Sequence, residues 1–226
     1  MAVAGYDLPG FGRSGGLRGH VAGGKEAMLD VVDQTVLALR QWYGPTVPVI
    51  LFGQSMGGNL VLRHLLDREA PIQGVVASSP WIRLPRPPGR LQLVAARLAR
   101  WFRPEMTQSN NLDINHLSID QAVVDAYRND PLVHDRISVE LGLSMLQSAR
   151  WLDEFRGRVR KPLLLMHGRA DQLTDPLASE QLAERTDGPV TLRIWDNLRH
   201  ELHNEPRSGD VADFLLAWLA GVTAGS

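Results

Sequence analysis

The sequence predicts an α/β fold built on a mostly parallel sheet, reduced to about five strands, flanked by helices and carrying a helical insertion. Three observations carry that prediction. Short apolar runs alternate with helical patterns along most of the 226 residues. Most of those runs are apolar on both faces, as buried parallel strands are. One stretch of the chain, residues 80–160, breaks the alternation, so that 1–79 and 161–226 read as one core and the stretch between them as a cap.

The elements follow in order. Ala2 to Tyr6 is the first strand expected, and Leu29, Val32, Val36 and Leu39 form the apolar stripe of the helix after it. Val47 to Phe52 is the second strand, and it leads into a helix from Gly57 to Asp67. Gly74 to Ser78, Leu163 to His167 and Val190 to Trp195 are the remaining strands, the last two followed by helices over Leu177 to Arg185 and Val211 to Leu219. The insertion opens with SPWIRLPRPPG and is mostly helical afterwards. Within it Leu91, Val94, Leu98 and Trp101 share one helical face, with Arg90, Arg97, Arg100 and Arg103 on the other. An ordinary packed helix with a solvated basic face is the reading favoured over membrane binding. Met145, Leu146, Trp151 and Phe155 read as core of the cap.

Composition excludes several classes. With 24 basic against 25 acidic residues and no long basic tract, nucleic acid has no electrostatic footprint here. The absence of cysteine removes disulfides, thiolate chemistry and Cys-based zinc sites. No apolar run is long enough for an integral membrane segment, and the first twenty residues lack the apolar stretch of a signal peptide. A soluble, cytoplasmic protein is expected. The segment GFGRSG, Gly10 to Gly15, fits the spacing that cradles a dinucleotide. It is read as a decoy, because Gly16, Gly19, Gly23 and Gly24 prevent an immediate helix and no acidic residue ends a second strand about 20 residues on. Its glycines are expected to serve tight turns.

The chemistry sits in VPVILFGQSMGGNLVLRHLLD. An apolar strand runs into Gly53-Gln54-Ser55-Met56-Gly57 and then into a helix, the context in which a serine is forced into a strained turn with its hydroxyl clear of the backbone. Such a hydroxyl needs a base, and the base a carboxylate. Asp171 follows the strand Leu163 to His167, and His200 follows the strand Val190 to Trp195. Asp175, Asp196 and His203 are their nearest rivals, with Asp175 better placed as a helix N-cap before Pro176. His64, His116, His134 and His167 read as structural.

These segments resemble the monoacylglycerol lipase and lysophospholipase-like group of the α/β-hydrolases. YDLPGFGRSGGLRGHV resembles that group's D-x-x-G-x-G-x-S loop, and GQSMGG its G-H-S-M-G-G elbow, with Gln54 in place of the histidine. SSPW, AYRNDPLV, LLMHGRADQLTD and the His200 segment match in order and spacing. The resemblance implies Ser55 as nucleophile, His200 as base and Asp171 as its orienter, with no cofactor and no metal. It also implies three strands, a helix and an H-G oxyanion loop before the present first strand. Three readings accommodate their lack: Ala2 to Tyr6 pairs directly with Val47 to Phe52 and brings the Leu8 N–H beside Ser55 as second oxyanion donor to Met56 N–H; a second copy completes the sheet as a homodimer; or the true start lies upstream. The first is favoured, because a closed sheet orphans the fewest buried backbone groups. The expected reaction is hydrolysis of short- or medium-chain esters such as monoacylglycerols or nitrophenyl esters, with Trp81, Ile82 and Leu84 setting acyl length. The alternatives are a non-catalytic interaction module, and thioester, amide or perhydrolase chemistry on the same triad.

Overall fold

The computed structural model describes residues 1–224. After an irregular N-terminal segment the chain forms α1 (Gly24–Tyr43), β1 (Ile50–Gln54), α2 (Met56–Asp67) and β2 (Gly74–Ser78). The stretch that follows carries α3 (Arg90–Phe102), β3 (Thr107–Ser109), α4 (Gln121–Asn129), β4 (Arg136–Ser138) and α5 (Val139–Glu154). The chain then returns through β5 (Gly157–Arg158), β6 (Leu163–Gly168), α6 (Pro176–Glu184), β7 (Thr186–Asp187), β8 (Val190–Trp195) and α7 (Ser208–Ala224).

The main sheet has the order β1-β2-β6-β8, and every neighbouring pair is parallel. Its register sets Leu51 opposite Val75, Val76 opposite Leu164, and Leu165 opposite Leu192. Successive side chains on a strand point to opposite faces, and the two hydrophobic clusters divide accordingly. Val75, Ala77, Leu163 and Leu165 join the cluster formed with α1, α2, α5 and α6. Val76, Leu164 and Met166 join Trp195, Leu202 and Val211 beneath α7. All residues of β2 and β6 are buried, which explains why these segments are uninterrupted apolar runs rather than alternating ones.

The N-terminal expectation is corrected. The main sheet has four strands, and Ala2 to Tyr6 is not one of them: this segment is exposed, and no backbone hydrogen bond joins it to β1 among the described residues. β1 therefore stands at an edge, with Phe52 half exposed. The loop after the segment is anchored to β4 and the residues just before it. Gly10 O accepts from His134 Nε2 (2.8 Å), and Gly19 O accepts from Ser138 N (2.8 Å). That docking, rather than pairing with β1, positions the segment. The glycines do serve turns: Gly10 and Gly19 have φ of 78° and 75°, and a Cβ at Gly19 would lie 2.1 Å from the Arg136 carbonyl oxygen. No helix begins before Gly24, so GFGRSG lacks the helix N-terminus a pyrophosphate site requires.

The stretch between β2 and β6 divides its labour. α5 packs against α1 and α2 and buries Met145 within the main core, while Leu146 on the same helix faces a large cavity. α3 reverses the expectation made for it. Its small side, with Leu93, Ala96 and Ala99, faces that cavity, whereas Leu91, Val94, Leu98 and Trp101 are exposed, Trp101 by 85%. The alanines allow the helix to lie close over the cavity, and this leaves the larger apolar side chains outside.

Leu165 is fully buried on the central strand β6 and Leu98 lies outside on α3. Leu165→Ala is expected to cost about 2–5 kcal/mol in urea unfolding and Leu98→Ala less than about 0.5 kcal/mol. Equal losses would contradict the packing described.

Candidate functional site

Ser55 occupies the turn between β1 and α2 with φ 56° and ψ −115°, a conformation costly for a non-glycine residue. Three backbone hydrogen bonds hold it: Ser55 N donates to Ser78 O (3.0 Å), and Ser55 O accepts from Trp81 N (2.9 Å) and Asn59 N (3.0 Å). The turn thus hangs on β2 and on the segment that leaves β2. Two glycines permit this closeness. A Cβ at Gly53 would lie 2.1 Å from the Gly57 carbonyl oxygen, and one at Gly58 would lie 2.8 Å from Pro80 Cα. Gly57 is different, since a Cβ there meets nothing within 4 Å. Asn59 braces the arrangement, donating from Nδ2 to Trp81 O (2.7 Å) and accepting at Oδ1 from Ser148 Oγ (2.7 Å) on α5.

Asp171 and His200 arrive from the ends of β6 and β8. His200 Nδ1 lies 2.7 Å from Asp171 Oδ2, and both residues are buried. The carboxylate is surrounded by donors. Its Oδ1 accepts from Leu173 N (2.7 Å) and Thr174 N (3.1 Å), and its Oδ2 also accepts from Thr174 Oγ1 (2.8 Å) and lies 3.0 Å from His167 Nε2. Burial alone would raise the pKa of this carboxyl. The hydrogen bonds from His167 and His200, with the charges those rings can carry, outweigh burial and hold it well below the usual carboxylate range.

The His200 loop is fixed by the segment just before α4. Glu201 N donates to Leu117 O (2.8 Å), Arg199 Nη1 donates to Ser118 O (2.9 Å), and Arg199 N donates to Glu205 Oε1 (2.8 Å). Glu205 is buried and its other oxygen accepts from Ser118 Oγ and Ile119 N, both at 3.2 Å. Nothing in the sequence pattern marks Glu205, because its partners Ser118 and Ile119 lie far away in the chain.

Ser55 and His200 both line a cavity of about 1090 Å³. Trp81 and Leu84 are in its wall, as is Met56. Ile82 is not: it is buried in the main core, so its expected place beside the substrate is corrected. Leu8 is likewise absent from the wall. The pairing that was to bring it beside Ser55 does not form; Leu8 packs against the core, and Phe11, three residues on, lines the cavity instead. Gln54 and Trp81 add a feature unseen in the sequence: Gln54 Nε2 and Trp81 Nε1 are buried donors without a protein partner. The rivals fall outside. Asp175 caps α6 through Leu177 N and pairs with Arg83, Asp196 pairs with Arg169, and His203 is exposed beside α7. His64 is buried against Asp33 and His116 pairs with Asp113, as structural histidines do, while His134 stacks on Phe11 in the cavity wall. Among the described residues no cluster of His, Cys, Asp and Glu could hold a metal ion.

A parallel sheet whose first strand turns sharply into a helix at a serine, with an Asp-bound histidine on later strand ends, defines an α/β-hydrolase of the lipase and esterase type. The chain belongs to the Hydrolase_4 family, described as serine aminopeptidase, S33, whose model matches residues 1–207. It is 31% identical to the monoacylglycerol lipase of Mycolicibacterium smegmatis over 97% of this chain and 78% of that one. It is 32% identical to an uncharacterized abhydrolase domain-containing protein of Dictyostelium discoideum, over 97% of this chain but only 23% of that protein's length. The crystal structure of the Paleococcus ferrophilus monoacylglycerol lipase superposes with a TM-score of 0.84 at 33% identity, covering 97% of this chain and 82% of that one.

The two glycines flanking Ser55 differ in their surroundings, and so should their substitutions. Gly57→Ala in α2 is expected to leave thermal stability unchanged or raise it by up to ~1 kcal/mol. Gly53→Ala, meeting backbone, is expected to destabilise by more than about 2 kcal/mol, so thermal unfolding of the pair checks the elbow geometry.

Proposed function

We propose that this chain is a serine carboxylic-ester hydrolase acting through Ser55, His200 and Asp171 on short- or medium-chain esters of the monoacylglycerol type. The observation that carries the reading is a serine in a strained strand-to-helix turn and an Asp171-bound His200 lining one cavity. Ser55 Oγ attacks the acyl carbon while His200 Nε2 takes its proton, and Asp171 accepts from Nδ1–H throughout. The Met56 N–H, in the first turn of α2 and without an intrahelical partner, faces the developing oxyanion. Collapse of the tetrahedral intermediate breaks the ester C–O bond, and His200 returns the proton to the leaving alcohol. Water then enters by the same route, releasing the acid and restoring Ser55. Leu84, Leu93, Ala96 and Leu146 give the cavity an apolar wall suited to an acyl chain.

The outside of α3 suggests where such a substrate is met. Leu91, Val94, Leu98, Trp101 and Phe102 are exposed beside Arg90, Arg97, Arg100 and Arg103, with no acidic residue on the helix. Apolar side chains ringed by cations fit an anionic lipid surface, and the opposite side of the same helix covers the cavity. No helix among the described residues is long and apolar enough to cross a membrane, so contact would be interfacial.

Amide hydrolysis is the second reading, favoured by the family's description as a serine aminopeptidase. The test compares nitrophenyl acyl esters from acetate to laurate with aminoacyl nitroanilides. Ester hydrolysis is expected to exceed anilide hydrolysis, and to fall by roughly ten-thousand-fold in Ser55→Ala and in Asp171→Asn. Faster anilide cleavage would replace the ester reading. A folded protein that neither hydrolyses esters nor reacts with a fluorophosphonate probe would mark a non-catalytic module.

Sedimentation with phosphatidylglycerol vesicles, against phosphatidylcholine alone, tests the α3 surface. Binding to the anionic vesicles is expected to weaken roughly tenfold in the Trp101→Ser, Phe102→Ser double variant, while hydrolysis of a dissolved nitrophenyl ester is retained.

A further inference from the structure

His167 ends β6 as a buried, titratable side chain that the mechanism above does not use. Its Nε2 lies 3.0 Å from Asp171 Oδ2, the same oxygen that His200 Nδ1 approaches at 2.7 Å. Its Nδ1 lies 2.8 Å from Ser179 Oγ on α6. These partners, with Thr174 Oγ1 3.2 Å from Nε2, favour one tautomer. A bare Nε2 lone pair facing a carboxylate oxygen at that distance would be repulsive, so Nε2 carries the proton, and the Ser179 hydroxyl can donate to Nδ1.

We propose that His167 is a positioning residue of the triad: as the Nε2–H tautomer, fixed by Ser179, it donates to Asp171 Oδ2 and holds the carboxylate in place for His200. The inference rests on the ester-hydrolase reading of this site. Two imidazoles and the Thr174 hydroxyl share one oxygen, so each bond limits the others. With three donors in place, Oδ2 cannot swing toward one partner, and the His200 ring is aimed by a fixed point. The contribution of the His167 hydrogen bond to keeping Asp171 ionised is in accord with this arrangement.

The decisive measurement needs no substrate. In the full 226-residue protein, the low-field proton NMR resonance of the His200–Asp171 hydrogen bond reports how strongly Oδ2 accepts. His167→Leu removes a competing donor, and the resonance is expected to move further downfield. His167→Gln, whose amide Nε2 reaches a similar point, is expected to hold it near its original position. Ser179→Ala, which loosens the ring without removing it, is expected to give a smaller downfield shift. In nitrophenyl ester hydrolysis His167→Leu should lower kcat about tenfold with KM changed less than about twofold, and His167→Gln should recover most of the loss.

An unmoved resonance in folded His167→Leu and Ser179→Ala, or an equal shift in His167→Gln, would overturn the proposal. Should His167→Leu fail to fold, the serine and glutamine variants decide it by the same resonance. A wild type inactive on esters whose resonance nonetheless responds as expected would sink the ester reading and leave the positioning role standing.

Discussion

The site is organised around one buried charge. A carboxylate removed from water must have its lone pairs satisfied, and Asp171 meets that demand by gathering donors from its own turn, from β6 and from the loop after β8. The Thr174 hydroxyl lies within 3.2 Å of Ser79 O, which brings the end of β2 into the same cluster. The carboxyl ends of three neighbouring parallel strands thereby meet around one group. Backbone bonds from Arg169 N to Trp195 O and from Ala170 N to Leu198 O, both 2.9 Å, fix the two loops side by side. His200 is where it is because Asp171 must be satisfied, and its ring reaches the cavity because β8 pairs in register with β6.

The nucleophile is held by sterics rather than by charge. A side chain at Gly53 would collide with the Gly57 carbonyl, so glycine there permits the chain to reverse sharply at Ser55. The strain at Ser55 is sustained because both of its backbone polar groups are bonded to neighbouring segments. One of those segments, through Trp81, also forms cavity wall. Ser55, the wall beside it and α5 are thus connected through Asn59 and Ser148 by hydrogen bonds that are buried or nearly so. The turn at Ser55 and α5 therefore form one bonded unit.

What could be read in the sequence was what depends on local pattern. β2 and β6 are buried along their whole length because both faces of the sheet are covered there, whereas the edge strand β8 carries Thr191 and Arg193 and is only partly buried; the limits of all three were legible to within a residue or so. Ser55, Asp171 and His200 could be placed beyond the carboxyl ends of β1, β6 and β8 because each follows a run of strand character. The failures share a physical cause. Ala2 to Tyr6 has strand composition, but whether a strand forms is decided by what edge is within reach, and the loop's bonds to β4 hold it elsewhere. Ile82 and Trp81 are adjacent and apolar, yet one enters the core and the other the cavity, a choice made by packing after β2. His167 was read as structural, and the structure keeps it buried and bonded; that its partners are Asp171 and Ser179 shows only once β6 and α6 are packed together.

The helix α3 shows the limit of reading amphipathicity as burial. An apolar stripe on a helix is normally the side turned to the core, and here the cavity side is instead the one with alanines. Small residues there let the helix close over a space that must stay open, since larger side chains would fill it. The bulky apolar residues are then displaced to the outer surface, beside arginines that remain solvated. A stripe of this kind is consistent with burial against something other than the protein's own core. The same helix therefore carries apolar side chains on two sides, one toward the cavity and one exposed, with only the thickness of one helix between them.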